Sequence, residues 1–125
     1  MTNVLLIDDE SIPRQAIALT LARSGHTVSE AANGEAAIDL LSEQRFDVVV
    51  TDLHMPEPDG MEILRLAQSL SPRPAIIVMS GRVAELQAAD LLQLFGLGAD
   101  AVLAKPFAKR ELLDCISNLV AERQP

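Results

Sequence analysis

At 125 residues, with 49% hydrophobic and 22% charged positions, the chain has the length of one domain and enough apolar material to bury a core of its own. It has no Trp or Tyr, and its aromatic residues are Phe46, Phe95 and Phe107, so aliphatic side chains fill the core and a ligand that needs aromatic stacking is poorly served. The net charge of −8 argues against a nucleic-acid surface, which needs clustered Lys and Arg to replace phosphate counterions.

Residues 4–7, Val-Leu-Leu-Ile, read as a strand that ends abruptly at Asp8, Asp9 and Glu10. Ser11 is placed as a helix cap and Pro13 suits the first turn. Ile17 and Leu21 recur at helical spacing until Gly25 stops the helix. Residues 26–30 form a weaker, more polar strand, which suits a sheet edge. Asn33-Gly34-Glu35 opens a second helix that carries Ala37, Leu40 and Leu41. Residues 48–51 are a β-branched run, and Asp52 follows at its C-terminal end. Beyond it lies a turn-rich loop, Met55-Pro56-Glu57-Pro58-Asp59-Gly60.

A third helix runs from about Gly60 through Ile63, Leu64 and Ala67, and Pro72 and Pro74 end it. Residues 75–79 are a fully apolar strand finished by Ser80 and Gly81. Val83, Leu86, Leu91, Leu94 and Phe95 fall on a longer helical stretch closed by Gly96 and Gly98. Residues 100–104 form the last strand. After Lys105-Pro106-Phe107 the final helix carries Leu112, Leu113, Ile116, Leu119 and Val120 at i, i+3/4, i+7 spacing. Cys115 sits among these apolar positions and reads as a buried helix residue. Being alone, it excludes an internal disulfide and fits a reducing cytoplasm. The N-terminus has no basic region, and its early apolar run is far too short for a signal or membrane segment.

Strict alternation of strands and helices implies right-handed crossovers and an α/β, doubly wound parallel sheet with helices on both faces. For five such units the common strand order is 2-1-3-4-5, and ligands bind beyond the C-terminal strand ends. Strands 1 and 3 are then neighbours, which brings Asp8, Asp9 and Asp52 to one rim. Ser80 ends strand 4 and Lys105 follows strand 5 on the same rim. Asp52 taken alone fits a turn cap; three acids, a hydroxyl and a lysine converging from distant positions point to chemistry.

With these residues in place, the chain resembles the receiver domain of bacterial two-component response regulators over essentially its whole length. The match rests on Asp8-Asp9 after strand 1, Asp52 after strand 3, Met55-Pro56 and Asp59-Gly60 beyond it, Ser80 after strand 4, and Gly98-Ala99-Asp100 leading to Lys105-Pro106-Phe107. Each motif is weak by itself; five in order at the right strand ends are specific. The resemblance implies a single receiver domain over 1–125 in the flavodoxin-like receiver fold, with no effector domain following, whether the chain stands alone or is excised from a larger regulator.

Carboxylates crowded ~4 Å apart repel by on the order of 4 kcal/mol at an effective dielectric near 20. A hard divalent cation relieves that repulsion, and Mg²⁺ suits a site with few carboxylates because it keeps several waters. The resemblance implies that Asp9, Asp52 and the backbone carbonyl of His54 ligate Mg²⁺ directly and that Asp8 acts through water. It further implies that Asp52 is the nucleophile that accepts a phosphoryl group from a histidine kinase or histidine phosphotransfer protein. Lys105 and Mg²⁺ then meet the charge on the transferring oxygens, and Ser80 donates to a phosphoryl oxygen. Lys105-Pro106 is expected to be cis, aiming the ammonium inward. Such a chain accelerates its own phosphorylation and dephosphorylation without being a conventional enzyme. It is expected in the cytoplasm and signals by contact with an unidentified protein target, not by binding nucleic acid or a membrane.

Several residues have simpler readings. Glu10 reads as an acid favourable to a helix dipole, Asp59 as an N-cap, and His54 and Arg82 as exposed loop residues, although the family uses the last two positions to tune dephosphorylation. Met55, Met61 and Met79 read as packing residues. Two departures bear on output. Val102 occupies the position where many receivers carry a Tyr or Phe whose ring turns inward after phosphorylation. The stretch from Ser80 to Lys105 is about one helical turn longer than usual, through either an extended fourth helix or a loop insertion. Val102 favours a rival within the family, a phosphate shuttle or sink that changes shape little. From other classes, a haloacid-dehalogenase-like phosphatase needs an Asp-x-Asp after its first strand, and a flavin-binding flavodoxin needs a hydroxyl-rich loop and aromatic stackers. The chain has neither pattern.

Overall fold

The protein is described by a computed structural model that covers residues 2–82 and 85–123. Its elements alternate as β1 (Asn3–Ile7), α1 (Ser11–Arg23), β2 (Thr27–Ala31), α2 (Gly34–Glu43), β3 (Val48–Asp52), α3 (Gly60–Gln68), β4 (Ala75–Ser80), α4 (Ala88–Gly96), β5 (Ala101–Ala104) and α5 (Lys109–Arg123). The five strands are parallel in the order β2-β1-β3-β4-β5, as the alternation predicts. β1, β3 and β4 are the central strands, and their apolar runs are continuous because both faces are covered.

Side-chain alternation along the strands sorts the core into layers. Val4, Leu6, Val48, Val50, Ile77 and Met79 face Ala18 and Leu21 of α1 and Leu112 and Ile116 of α5. Leu5, Ile7 and Val49 face the opposite side, against Ala37 and Leu41 of α2 and Ile63 of α3. Ile76 and Val78 extend that side to Leu64, Ala67 and Leu94. The polar β2 is an edge strand with a largely uncovered face. Cys115 is half-buried beside the first layer, and burial together with the charge of Asp100 raises its thiol pKa above the ordinary value.

Register brings the polar residues together. Ile7 pairs with Thr51, so Asp8 and Asp52 emerge side by side at the ends of β1 and β3. Asp52 pairs with Met79, and Ser80 pairs with Ala104, the residue before Lys105. Parallel neighbours need a long crossover, which α3 supplies between β3 and β4, and α3 starts where Asp59 Oδ1 accepts the Glu62 N–H at 3.1 Å. At the far end of the sheet, Asp100 accepts the Ile76 N–H at 2.8 Å and pairs with Arg73, which also donates to the Gly98 carbonyl. This cluster fixes β5 against β4.

Three local expectations are corrected. The helix α1 begins at Ser11 with Glu10 in the capping position, because the Asp8 carboxylate takes the Glu10 N–H and tightens the turn one residue early. His26 precedes β2 and donates its N–H to the Leu21 carbonyl. The fourth helix is not extended: α4 begins at Ala88, where Asp90 Oδ2 captures the Gln87 N–H, and Leu86 lies outside it while packing beside Leu64 and Leu94. Val83, assigned to the helical stretch from spacing, lies outside the described residues.

Candidate functional site

Asp8 and Asp52 are buried at the C-terminal edge of the sheet, and Asp9 is exposed beside them. One oxygen from each of the three carboxylates lies within 4.8 Å of the others. Lys105 enters this cluster from β5, with Nζ 3.2 Å from Asp52 Oδ2 and 3.2 Å from Asp8 Oδ2. Burial opposes the charge on Lys105, but the two carboxylates, Asp52 foremost, outweigh it and raise the lysine pKa above its ordinary value. The Lys105-Pro106 peptide is cis.

Asp8 is held on every side. Its N–H donates to the Ala31 carbonyl, its own carbonyl accepts from Arg14 Nη1 at 2.9 Å, and Oδ1 accepts the Glu10 N–H at 3.0 Å. Asp52 is tethered less tightly, with the His54 N–H reaching Oδ1 at 3.4 Å. His54 itself is exposed. Ser80 is fully buried at the end of β4, where its Oγ accepts the backbone N–H of exposed Arg82 at 3.0 Å.

An all-oxygen set of three carboxylates suits a hard cation such as Mg²⁺ or Ca²⁺, whereas Zn²⁺ and Cu²⁺ prefer nitrogen or sulfur ligands. The predicted Asp8, Asp9, Asp52 and Lys105 are therefore brought together, with Ser80 and the His54 backbone on the same rim. Asp59 caps α3 and Met79 is core, as expected. One contributor escapes sequence reasoning, and one motif residue gains its physical reason. Arg14 joins Asp8 to Glu30, a pairing across sixteen positions for which no spacing rule exists. Gly60 lets α3 approach the acidic strand end: a Cβ there would stand 2.7 Å from the Leu53 Cα and 2.5 Å from the Asp52 carbonyl oxygen.

A family model described as the response regulator receiver domain matches residues 4–117. The chain is 38% identical over 112 residues to the transcriptional regulatory protein AfsQ1 of Streptomyces coelicolor, covering 90% of this chain and 48% of that protein. It spans about half the length of the curated relatives it matches. Among solved structures, a receiver domain from Clostridium thermocellum superposes with a TM-score of 0.89 at 30% identity, covering 98% of this chain and 97% of that one. A response regulator from Burkholderia pseudomallei, solved with a phosphorylated aspartic acid, a calcium ion and citrate, gives 0.84 at 29% identity over 98% of this chain and 70% of that one. With the family model matching residues 4–117 and the fold superposing on solved receiver domains, the chain belongs to the response regulator receiver domain family.

Proposed function

We propose that this receiver domain is a Mg²⁺-dependent phosphoacceptor switch, modified on Asp52 by a histidine kinase or histidine phosphotransfer protein and read by protein contact in the cytoplasm. The observation that carries the reading is the Lys105 ammonium bonded to both Asp52 and Asp8 beside exposed Asp9. That arrangement supplies a nucleophile, a cation and a hard-metal donor set within one rim. Among the described residues no helix is long and apolar enough to cross a membrane.

Asp9, Asp52 and the His54 carbonyl would hold Mg²⁺ directly and Asp8 through water, and the ion would neutralise charge on the transferring phosphoryl oxygens. An Asp52 carboxylate oxygen attacks the phosphorus while the bond to the donor's imidazole nitrogen breaks, and the electron pair leaves with the imidazole. Lys105 meets the charge that spreads over the phosphoryl oxygens, already placed at the carboxylate that receives them. Ser80 accepts from the Arg82 N–H, which leaves its own hydroxyl proton available to a phosphoryl oxygen. Gain of that bond distinguishes the modified from the unmodified state, and a state-dependent contact is what a switch requires.

Val102 favours a second reading, a phosphate shuttle or sink. Its side chain packs beside Leu64 and Leu94 and offers no ring to carry a change outward along β5. Incubation with a small acyl-phosphate donor tests the main reading: modification with MgCl₂ that disappears in excess EDTA supports it, and metal-independent modification or none contradicts it. Amide NMR of the modified chain separates switch from sink. Shifts spreading into the 81–87 connection and α4 mark a switch, and shifts confined to the acidic rim mark a sink.

A further inference from the structure

The Arg14 side chain is only 13% exposed, although it lies on the first turns of a surface helix. It makes two bonds in different directions. Nη1 donates to the Asp8 carbonyl at 2.9 Å, and Nε donates to Glu30 Oε1 on the edge strand at 3.1 Å. Glu30 precedes Ala31, whose carbonyl accepts the Asp8 N–H. Asp8, Ala31, Glu30 and Arg14 thus form a closed ring that fixes the peptide on both sides of Asp8. Asp9 is the next residue, and its exposed carboxylate takes its direction from the backbone that the ring holds.

From this ring we propose that Arg14, steadied by Glu30, is a positioning residue that sets the cation affinity of the acidic site through the Asp8–Asp9 backbone. The proposal rests on the Mg²⁺-dependent reading above. Only a planar fork reaches a carbonyl and a carboxylate at once, so a lysine at this position replaces one bond and loses the other. Charge and position pull in opposite directions here. A nearby cation repels a bound metal, so loss of Arg14 tightens binding if its charge matters most and weakens it if its placement does. The two bonds to Asp8 and Glu30 favour placement, because partners that orient metal ligands typically govern affinity about tenfold or more.

The test is isothermal titration of the full chain with MgCl₂, a method suited to a protein without Trp or Tyr. Arg14→Met is expected to raise the Mg²⁺ dissociation constant about tenfold, with Arg14→Lys intermediate and Glu30→Gln weaker in effect. Phosphorylation by the small donor should slow at limiting Mg²⁺ and return to the wild-type rate at saturation, a split that general loosening of the fold does not produce. If Arg14→Met does not fold in EDTA by thermal melting, Glu30→Gln decides the matter, since Glu30 is exposed. An unchanged or tighter Mg²⁺ affinity in the folded variants overturns the proposal alone. Wild type that binds no Mg²⁺ overturns the phosphoacceptor reading and this proposal together.

Discussion

Lys105 and Asp52, 53 positions apart, meet at 3.2 Å between Nζ and Oδ2 because β3 and β5 flank β4 in register. An ammonium already bonded to the carboxylate can meet developing charge without reorganising. Lys105→Met is expected to slow phosphorylation from a small donor by roughly a hundredfold, the usual scale for losing one preplaced partner of transition-state charge. The same change should tighten Mg²⁺ binding, since it removes a competing cation from the acids. Stopped donor reactions and calorimetry measure the two effects separately.

The raised pKa of Lys105 gives stability a defined pH dependence. The folded state holds this proton more tightly than the unfolded state, so the contribution is complete below the unfolded value of 10.5 and is lost as pH rises through the folded value. Cys115 acts in the same direction from its ordinary value of 9.0. The chain has no Tyr and its other lysine is Lys109, so few groups blur the alkaline range. Urea unfolding from pH 8 to 12 should show stability falling above about pH 10.5 in a Cys115→Ser background, with the fall reduced by Lys105→Met.

Gly60→Ala should disturb the site from behind. The added Cβ meets backbone at Leu53 and Asp52, neither of which can yield as a flexible side chain does. A loss of about 1–3 kcal/mol in denaturant unfolding is expected from overpacking, together with slower phosphorylation as the Asp52 strand end shifts. Gly25→Ala meets nothing within 4 Å but has φ +92°, so it should cost stability without affecting phosphorylation.

Much of the fold was legible because its central strands are buried on both faces and so read as uninterrupted apolar runs, and because Gly, Pro and Asn mark the turns between them. The acidic rim was legible for a related reason: Asp8, Asp52, Ser80 and Lys105 each stand at the point where an apolar run stops. What stayed hidden depends on contacts that no local pattern encodes. Asp8 shifted the α1 boundary by taking the Glu10 N–H, Asp90 stopped α4 short of Leu86 despite helical spacing, and Arg14 found Glu30 through the fold alone.

Asp100 offers a test of the scaffold apart from the chemistry. Asp100→Ala removes the acceptor of the Ile76 N–H and leaves Arg73 without its carboxylate, in a part-buried place. A loss of about 1–3 kcal/mol is expected, measured by denaturant unfolding, with phosphorylation per folded molecule close to wild type because Asp100 lies at the opposite end of the sheet from Asp52.

The most direct measurement is intact-mass spectrometry of wild type and Asp52→Asn after incubation with a small acyl-phosphate donor and Mg²⁺. One phosphoryl group on wild type and none on Asp52→Asn is the expected result. No adduct on wild type, or an equal adduct on Asp52→Asn, would remove Asp52 from the centre of the chemistry.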